Sequence, residues 1–343
     1  MKTEKEEYLQ FPAPYFGGKS NIAKIVWQYL GNVKTYIEPF CGSAAVLLKR
    51  PNYNPNKHKE IINDADGFIT NVFRSLKFSP DETAQWCDWP VNQADLSARK
   101  LRLIANEKYL LDNLMKDEIW HNPQLAGYWL WAASCWIGSG LLSINQRPHL
   151  GSSGMGVHKI GKRPHLSNSG KGVHKSSLRP DWGNVEINEN KDVKDLQEPF
   201  NTNLYKWFRI LSERLRYVWI FCGDWTRVCG GNWQNDHGIC GMFFDPPYSK
   251  ETGRYEGIYH KENMHVSHDV REWCKKRGND SKMRIILAGY FEEHQELLDC
   301  GWSIHRWKAG GGYASLAGNQ KINTNRFKEA LFVSPYCLKN NLF

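Results

Sequence analysis

An α/β fold with a mostly parallel, twisted sheet, interrupted by a basic insert, is predicted by three observations. Residues 35–64 read as strand, turn, helix and strand, the opening of a parallel α/β sheet. After residue 217, short apolar runs recur, several ending in turn or acidic residues. Between these lies a stretch from Trp120 to Pro180 without a single Asp or Glu.

Each element follows from local pattern. Ser20 reads as a helix N-cap, followed by Ile22, Ile25, Val26, Tyr29 and Leu30 at helical spacing, with Gly31 as the stop. Thr35–Phe40 is a short strand, Cys41–Gly42–Ser43 a turn, and a helix is expected from Ala44 to Lys49. Ile61–Ile62 marks the next strand, ending in Asn63–Asp64–Ala65–Asp66. Further strands are expected at Tyr217–Cys222, Ile239–Phe244, Arg284–Ala288, Trp302–Trp307 and Ala330–Ser334, with a helix at Glu292–Leu298. The expected division is a catalytic domain of residues 11–85 and 200–336, with an inserted recognition region at 86–199.

The chain has 343 residues, enough for one large or two modest domains, and a formal net charge of +9, which favours a polyanionic partner. Its nine cysteines are odd in number and form no CxxC pair, so they read as reduced thiols of a cytoplasmic protein. The charged start MKTEKEEYLQ contains no apolar signal segment. The longest apolar stretch, Tyr128 to Ile137, is too short to span a bilayer. No membrane partner is expected.

The insert carries a tandem repeat at 147–175: RPHLGSSGMGVHK from Arg147 to Lys159, then RPHLSNSGKGVHK from Arg163 to Lys175. Two Gly/Ser-rich copies are too few for a solenoid. His149, His158, His165 and His174 have no carboxylate or cysteine in the segment to complete a metal site. Loops placing Arg147, Lys159, Lys162, Arg163, Lys171 and Lys175 on phosphates fit better, against the plain alternative of a solvated basic loop.

Asp245–Pro246–Pro247–Tyr248 ends an apolar run. A residue before proline is held extended, so Asp245 and Pro246 are both restrained. Strand ends in open α/β sheets face the ligand crevice. There the Asp245 carboxylate and Pro246 carbonyl would accept both hydrogens of an aromatic amine, with Tyr248 a flat face for its ring. Alone, the tetrapeptide reads equally as a proline-stiffened turn.

With four other motifs in order, the chain resembles the Dam-type DNA adenine methyltransferases, phage and prophage members included. Pro14–Tyr15–Phe16–Gly17–Gly18–Lys19 is similar to that family's N-terminal cofactor motif. Glu38–Pro39–Phe40–Cys41–Gly42–Ser43 is similar to its EPF-x-G-S motif, and Asn63–Asp64 to its acidic motif. Gly223–Asp224–Trp225 is similar to the element that precedes DPPY. The family often has Gly or another small residue where Ala44 stands, and Cys41 occupies a variable position.

The resemblance implies a Rossmann-like, S-adenosylmethionine-dependent methyltransferase fold acting on the 6-amino group of adenine in double-stranded DNA. It implies cofactor contacts from Tyr15 through Lys19, Glu38 through Ser43, Asp64, Asp224, Trp225 and Asp245. Asp64 follows Gly42 by about the ~20 residues at which nucleotide-binding folds place the carboxylate on the ribose; a solvated surface Asp is the alternative. Lys19 would neutralise the cofactor's methionine carboxylate, or is a surface lysine after a glycine turn. Asp224 would accept from the cofactor adenine, or caps a helix. Asp245, Pro246, Pro247 and Tyr248 would be catalytic on a flipped base. No metal is implied, and a monomer is expected, with a dimer as the alternative. Roles in restriction-modification, host marking or phage defence stay open. A 4-amino cytosine methyltransferase and a catalytically silent DNA-binding protein on the same fold are the rival readings.

Overall fold

The computed structural model describes residues 9–15, 17–136, 141–142, 202–230, 238–247, 265–307 and 329–339. The chain divides into two compact units. One comprises Met1–Phe16, Asp66–Arg216 and Gly257–His260; the other comprises Gly17–Ala65, Tyr217–Glu256 and Lys261–Phe343. The seams fall after Ala65 and Arg216, where the sequence reading places boundaries at 85 and 200.

The second unit is built on a seven-stranded sheet: β1 (Thr35–Glu38), β2 (Lys59–Asp64), β3 (Val218–Cys222), β4 (Cys240–Phe244), β5 (Met283–Tyr290), β6 (Ser303–Arg306) and β7 (Glu329–Val333). Their order is β3-β2-β1-β4-β5-β7-β6. The first five are mutually parallel, and β7 runs antiparallel to both β5 and β6. This is the mostly parallel, Rossmann-like sheet the sequence predicts. Every residue of β1 and β4 is buried, as expected of parallel strands covered on both faces.

Alternate strand residues serve opposite faces. On one face Tyr36 meets Trp27 of helix α1 (Ala23–Leu30), ring centroids 4.7 Å apart, and the Trp27 indole donates to the Val46 carbonyl at 2.8 Å. On the other, Ile37, Ile61, Met242, Phe244, Ile285 and Leu287 form a core with Val266, Val270 and Cys274 of a later helix, Val266–Arg277.

Several local expectations are corrected. Helix α1 begins at Ala23, not Ser20; Ile22 stands at its N-cap with no side-chain cap bond. The Ile22 amide instead closes a turn onto the Lys19 carbonyl at 3.1 Å, and Ser20 is exposed. Gly31 ends the helix as expected, at φ 62° with its N–H on the Trp27 carbonyl. Helix α2 is a single turn, Ala45–Leu48, because Ala44 takes a left-handed conformation at φ 46°, ψ 35°. The helix expected at Glu292–Leu298 is a short α-turn, Phe291–His294, that tightens into a 3-10 turn, Gln295–Cys300.

The first unit is helical where described: α3 (Gly67–Phe78), α4 (Pro80–Cys87), α5 (Gln93–Lys116), α6 (Pro123–Cys135) and α7 (Thr202–Leu215). Its helix starts are capped by short polar side chains. Asp66 accepts from the amides of Phe68 (2.8 Å) and Ile69 (3.4 Å), Asn92 from Asp95 and Asn122 from Leu125. Numbering continues in the second unit with α8 (Thr226–Cys229), α9 (Val266–Arg277) and α10 (Phe291–His294).

Arg74, 1 % exposed in α3, closes the far end of α5. Its Nη1 donates to the carbonyls of Leu114 (3.2 Å), Asp117 (2.7 Å) and Trp120 (3.2 Å). Arg74→Leu should strip these carbonyls of that donor and lower stability by ~2–4 kcal/mol, since a stranded buried polar group costs about 1–3 kcal/mol. Denaturant unfolding measures this; a loss below ~1 kcal/mol would show that water replaces the guanidinium.

Candidate active site

The strand order reverses between β1 and β4. The chain runs outward from β1 to β2 and β3, then returns to place β4 and β5 on the other side of β1. Open α/β sheets bind ligands outside the carboxyl ends of their strands at such a point. The turn after β1 and the Asp245–Pro246–Pro247 segment after β4 both leave the sheet there.

The N-terminal glycine segment reaches the same place. Lys19 Nζ lies 2.9 Å from Asp245 Oδ2, with side-chain exposures of 9 % and 20 %, and also donates to the Gly17 carbonyl at 3.0 Å. The sequence reading directs Lys19 to the methyl donor's carboxylate; the structure gives it a carboxylate of the chain itself. A cation on Asp245 Oδ2 restrains the direction of that carboxylate and offsets its charge in a half-buried setting.

Next to it, Glu38 ends β1 at 2 % exposure. Its Oε2 accepts from the Tyr36 hydroxyl at 3.1 Å and the Leu47 amide at 3.3 Å. Burial pushes the Glu38 carboxyl well above the usual carboxylate range, and the nearby charges of Asp245 and Glu60 add to this against those two hydrogen bonds. Glu38 therefore anchors the start of helix α2 from within the core.

The turn after β1 is built on bare backbone. Gly42 takes φ 45° and Ala44 φ 46°. A left-handed residue carrying a Cβ costs about 1–2 kcal/mol, so glycine would relieve strain at Ala44. Asp64, at the end of β2, closes this turn: its Oδ2 accepts from the Gly42 amide at 2.8 Å. The Cys41 sulfur lies 3.8 Å from the same oxygen. Burial pushes the Cys41 thiol well above its usual range, and the Asp64 charge adds to the shift.

Beyond β3, Asp224 is exposed and its Oδ1 accepts from the Thr226 amide at 2.9 Å, a turn that leads into the helix whose N-cap is Trp225. Trp225 is 6 % exposed and belongs to the core. Its ring stacks on Phe40 (6.2 Å, 30°) and meets Phe244 and Trp273 edge-on.

Sequence reasoning placed Asn63 in the acidic motif beside Asp64 but gave it no role of its own. Buried at 1 %, its Nδ2 donates to the carbonyls of Pro39 and Gly223, both at 3.0 Å. The available signal was an amide side chain directly after the apolar pair Ile61–Ile62 of β2, overshadowed by Asp64 beside it.

The structure thus brings together Lys19, Glu38, Pro39, Phe40, Cys41, Gly42, Ser43, Asp64, Asp224, Trp225, Asp245 and Pro246 at the carboxyl ends of β1–β4, with Pro247 following. Gly17 and Gly18 are exposed and lead into Lys19. Tyr15 belongs to the other unit, where its ring meets Phe11 edge-on at 5.9 Å. Phe16, Tyr248, Arg147, Lys159, Lys162, Arg163, Lys171 and Lys175 lie outside the described residues, as do the four insert histidines. Among the described residues no cluster of His, Cys, Asp or Glu could hold a metal ion. No described helix is long and apolar enough to cross a membrane.

Residues 15–111 match the family model of the D12 class N6 adenine-specific DNA methyltransferases. The match covers the glycine segment, the turn after β1 and Asp64, and agrees with the Dam-type resemblance; Asp224 and Asp245 lie beyond it. DNA adenine methylation is the class of activity this family represents. A search of curated proteins finds no significant relative.

Of nine free cysteines, eight are buried and Cys300 alone is half-buried. At pH 8 a thiol-alkylating reagent should modify Cys300 first in the native protein and reach Cys41 only on unfolding, because its thiol is buried and protonated. Mass mapping of early products checks this; rapid labelling of Cys41 would show that the turn after β1 opens readily.

Proposed function

We propose that the chain is a site-specific DNA methyltransferase that transfers the methyl group of S-adenosylmethionine to the 6-amino group of adenine in double-stranded DNA. The observation that carries the reading is the ion pair between Lys19 and Asp245 at the strand-order reversal. It joins the glycine segment that falls within the family match to the DPPY motif that lies outside it.

The residues present suit a nucleoside-bearing cofactor. Gly42 and Gly223, at φ 45° and 126°, put side-chain-free backbone at the ends of β1 and β3. Asp64 and Asp224 supply carboxylates beside them, as ribose hydroxyls and an adenine amine require. When bound, S-adenosylmethionine supplies an electrophilic methyl group on a sulfonium.

The chain's own residues do the remaining work by position. The Asp245 carboxylate and Pro246 carbonyl accept the two hydrogens of the target amine. This draws its nitrogen toward tetrahedral geometry and aims its lone pair at the methyl. Lys19 keeps the Asp245 carboxylate oriented. Tyr248 stacks on the base, which leaves the duplex because its amine is unreachable within it. The insert lysines and arginines grip phosphates.

Incubation with labelled methyl donor and duplex DNA, followed by mass spectrometry of the nucleosides, tests the reading. The expected product is N6-methyladenine; N4-methylcytosine would transfer the chain to the cytosine class, and no product would leave a silent DNA-binding protein. Asp245→Ala should cut turnover by ~10²-fold or more, on the scale of a lost transition-state hydrogen-bonding group, with donor binding retained. Tyr248→Phe should be mild and Tyr248→Ala severe, since stacking on one aromatic is worth about 1–3 kcal/mol. Equal losses in both would assign the role to the hydroxyl.

Each phosphate contact contributes about −0.9 to the slope of log affinity against log salt. Neutralising Lys159, Lys162, Lys171 and Lys175 together should flatten that slope by up to ~3–4 units. Arg147 or Arg163 substitutions should instead alter which sites are methylated, if either arginine reads a guanine edge. An unchanged slope and an unchanged site profile would return the repeat to a solvated loop.

A further inference from the structure

We infer that Asn63 is a positioning residue that holds the methyl-donor pocket in its binding shape, an inference that rests on the function proposed above. Asn63 sits in β2, 1 % exposed, between strands β1 and β3. A buried amide is unfavourable unless hydrogen-bonded. Its Nδ2 reaches in two directions, to the Pro39 carbonyl just past β1 and the Gly223 carbonyl just past β3, 3.0 Å each. Both partners are acceptors, so only the NH2 end of the amide can face them. The opposite end, Oδ1, has no hydrogen-bond partner among the described residues. The side chain places both amide hydrogens on carbonyls of two different loops, so it ties the ends of β1 and β3 to β2.

The backbone around it carries the same tie. The Cys41 amide donates to the Asn63 carbonyl, and the Gly223 amide to the Asp64 carbonyl, both at 2.9 Å. Gly223 stands at φ 126°, a conformation that imposes no side-chain limit on the orientation of the following peptide. Asn63 fixes that peptide by its oxygen, and with it the start of Asp224. It also fixes the peptide that leads from Pro39 into the Cys41–Gly42 turn, which Asp64 closes from the other side. One amide therefore sets the spacing of three strand ends: the glycine turn, Asp64 and Asp224. None of its contacts reaches Asp245, so it governs how the donor is held and not the reaction of the amine.

Asn63→Leu tests this in the full chain. Leucine keeps the branching and heavy-atom count of asparagine, although it is bulkier, and cannot tie the carbonyls. The thermal midpoint should fall, because two buried carbonyls lose their donor, so donor binding is measured well below the variant's own midpoint. Calorimetric Kd and the KM for S-adenosylmethionine should each rise roughly 10-fold, the weight of two neutral hydrogen bonds. Turnover at saturating donor and DNA affinity should stay near wild type. A second variant, Asn63→Asp, gives an independent reading. Its carboxylate faces two carbonyls and repels them, whereas its protonated form donates to one. Donor affinity of that variant should improve as pH falls from 8 to 6, relative to wild type. A Leu variant that binds donor like wild type, or that loses turnover with KM unchanged, overturns the role of Asn63. So does an Asp variant whose donor affinity parallels wild type across that pH range. A wild-type protein that binds no S-adenosylmethionine overturns the proposed function, and this inference with it.

Discussion

Everything at this site depends on the parallel pairing of β1 with β4, which sets Thr35 beside Cys240 and Ile37 beside Met242. Two strands far apart in sequence become immediate neighbours, and their carboxyl ends open side by side. Without that pairing the turn at 39–43 and the Asp245–Pro246–Pro247 segment share no surface. With it, Lys19 of the glycine segment meets the Asp245 carboxylate beside that turn. The reversal of strand order is what makes a crevice there, because the loops that follow β1 and β4 lead away from one another.

The electrostatic setting of the crevice follows from the same arrangement. Glu38 and Glu60 are both in the interior near the sheet centre, and Glu60 is matched by Arg50 at 3.2 Å with neither side chain exposed. Glu38 has hydrogen bonds but no paired cation among the described residues, and burial favours its neutral form. Asp245 does have a cation. Carboxyl groups at neighbouring strand ends are thus differentiated by their partners: one turned into a structural acceptor, the other kept as a directed, charge-paired oxygen.

Much of this was legible before any coordinates. Short apolar runs ending in Asn63–Asp64, Gly223–Asp224 and Asp245–Pro246 announce strands whose ends carry chemistry, because strand periodicity and proline restraint act locally. Strand limits moved by only a residue or two in most cases. Helix starts were less legible. Ser20 has the chemistry of a cap, but the Ile22–Lys19 turn occupies the backbone geometry a cap needs. The antiparallel pairing of β7 left no local mark either, since direction belongs to the connection and not to the strand. Partners across the fold were the least legible. Lys19 could be assigned to the site, but the oxygen it meets belongs to a residue brought in by β4. Asn63 was named in its motif, but its bonding was hidden because its two bonds run to carbonyls, which any sequence possesses at every position.

The division of the chain has a consequence for the order in which the protein is made. β1 can pair with β2 at once, but its other edge waits for β4, and the residues between include most of the helical unit. At a synthesis rate of ~5–20 residues per second, that wait lasts roughly ten to forty seconds. Throughout it, a strand that is wholly buried in the finished sheet would present an unsatisfied row of amides and carbonyls. The nascent chain must shelter that edge, in the exit channel, with a chaperone or by delayed assembly, until Cys240 emerges. The helical unit, whose sequence is mostly inserted between β2 and β3, has the opposite fate: most of its sequence is available before the sheet can close. The crevice, the seat of the proposed chemistry, can therefore form only late in synthesis, and truncated chains that stop short of β4 cannot hold it.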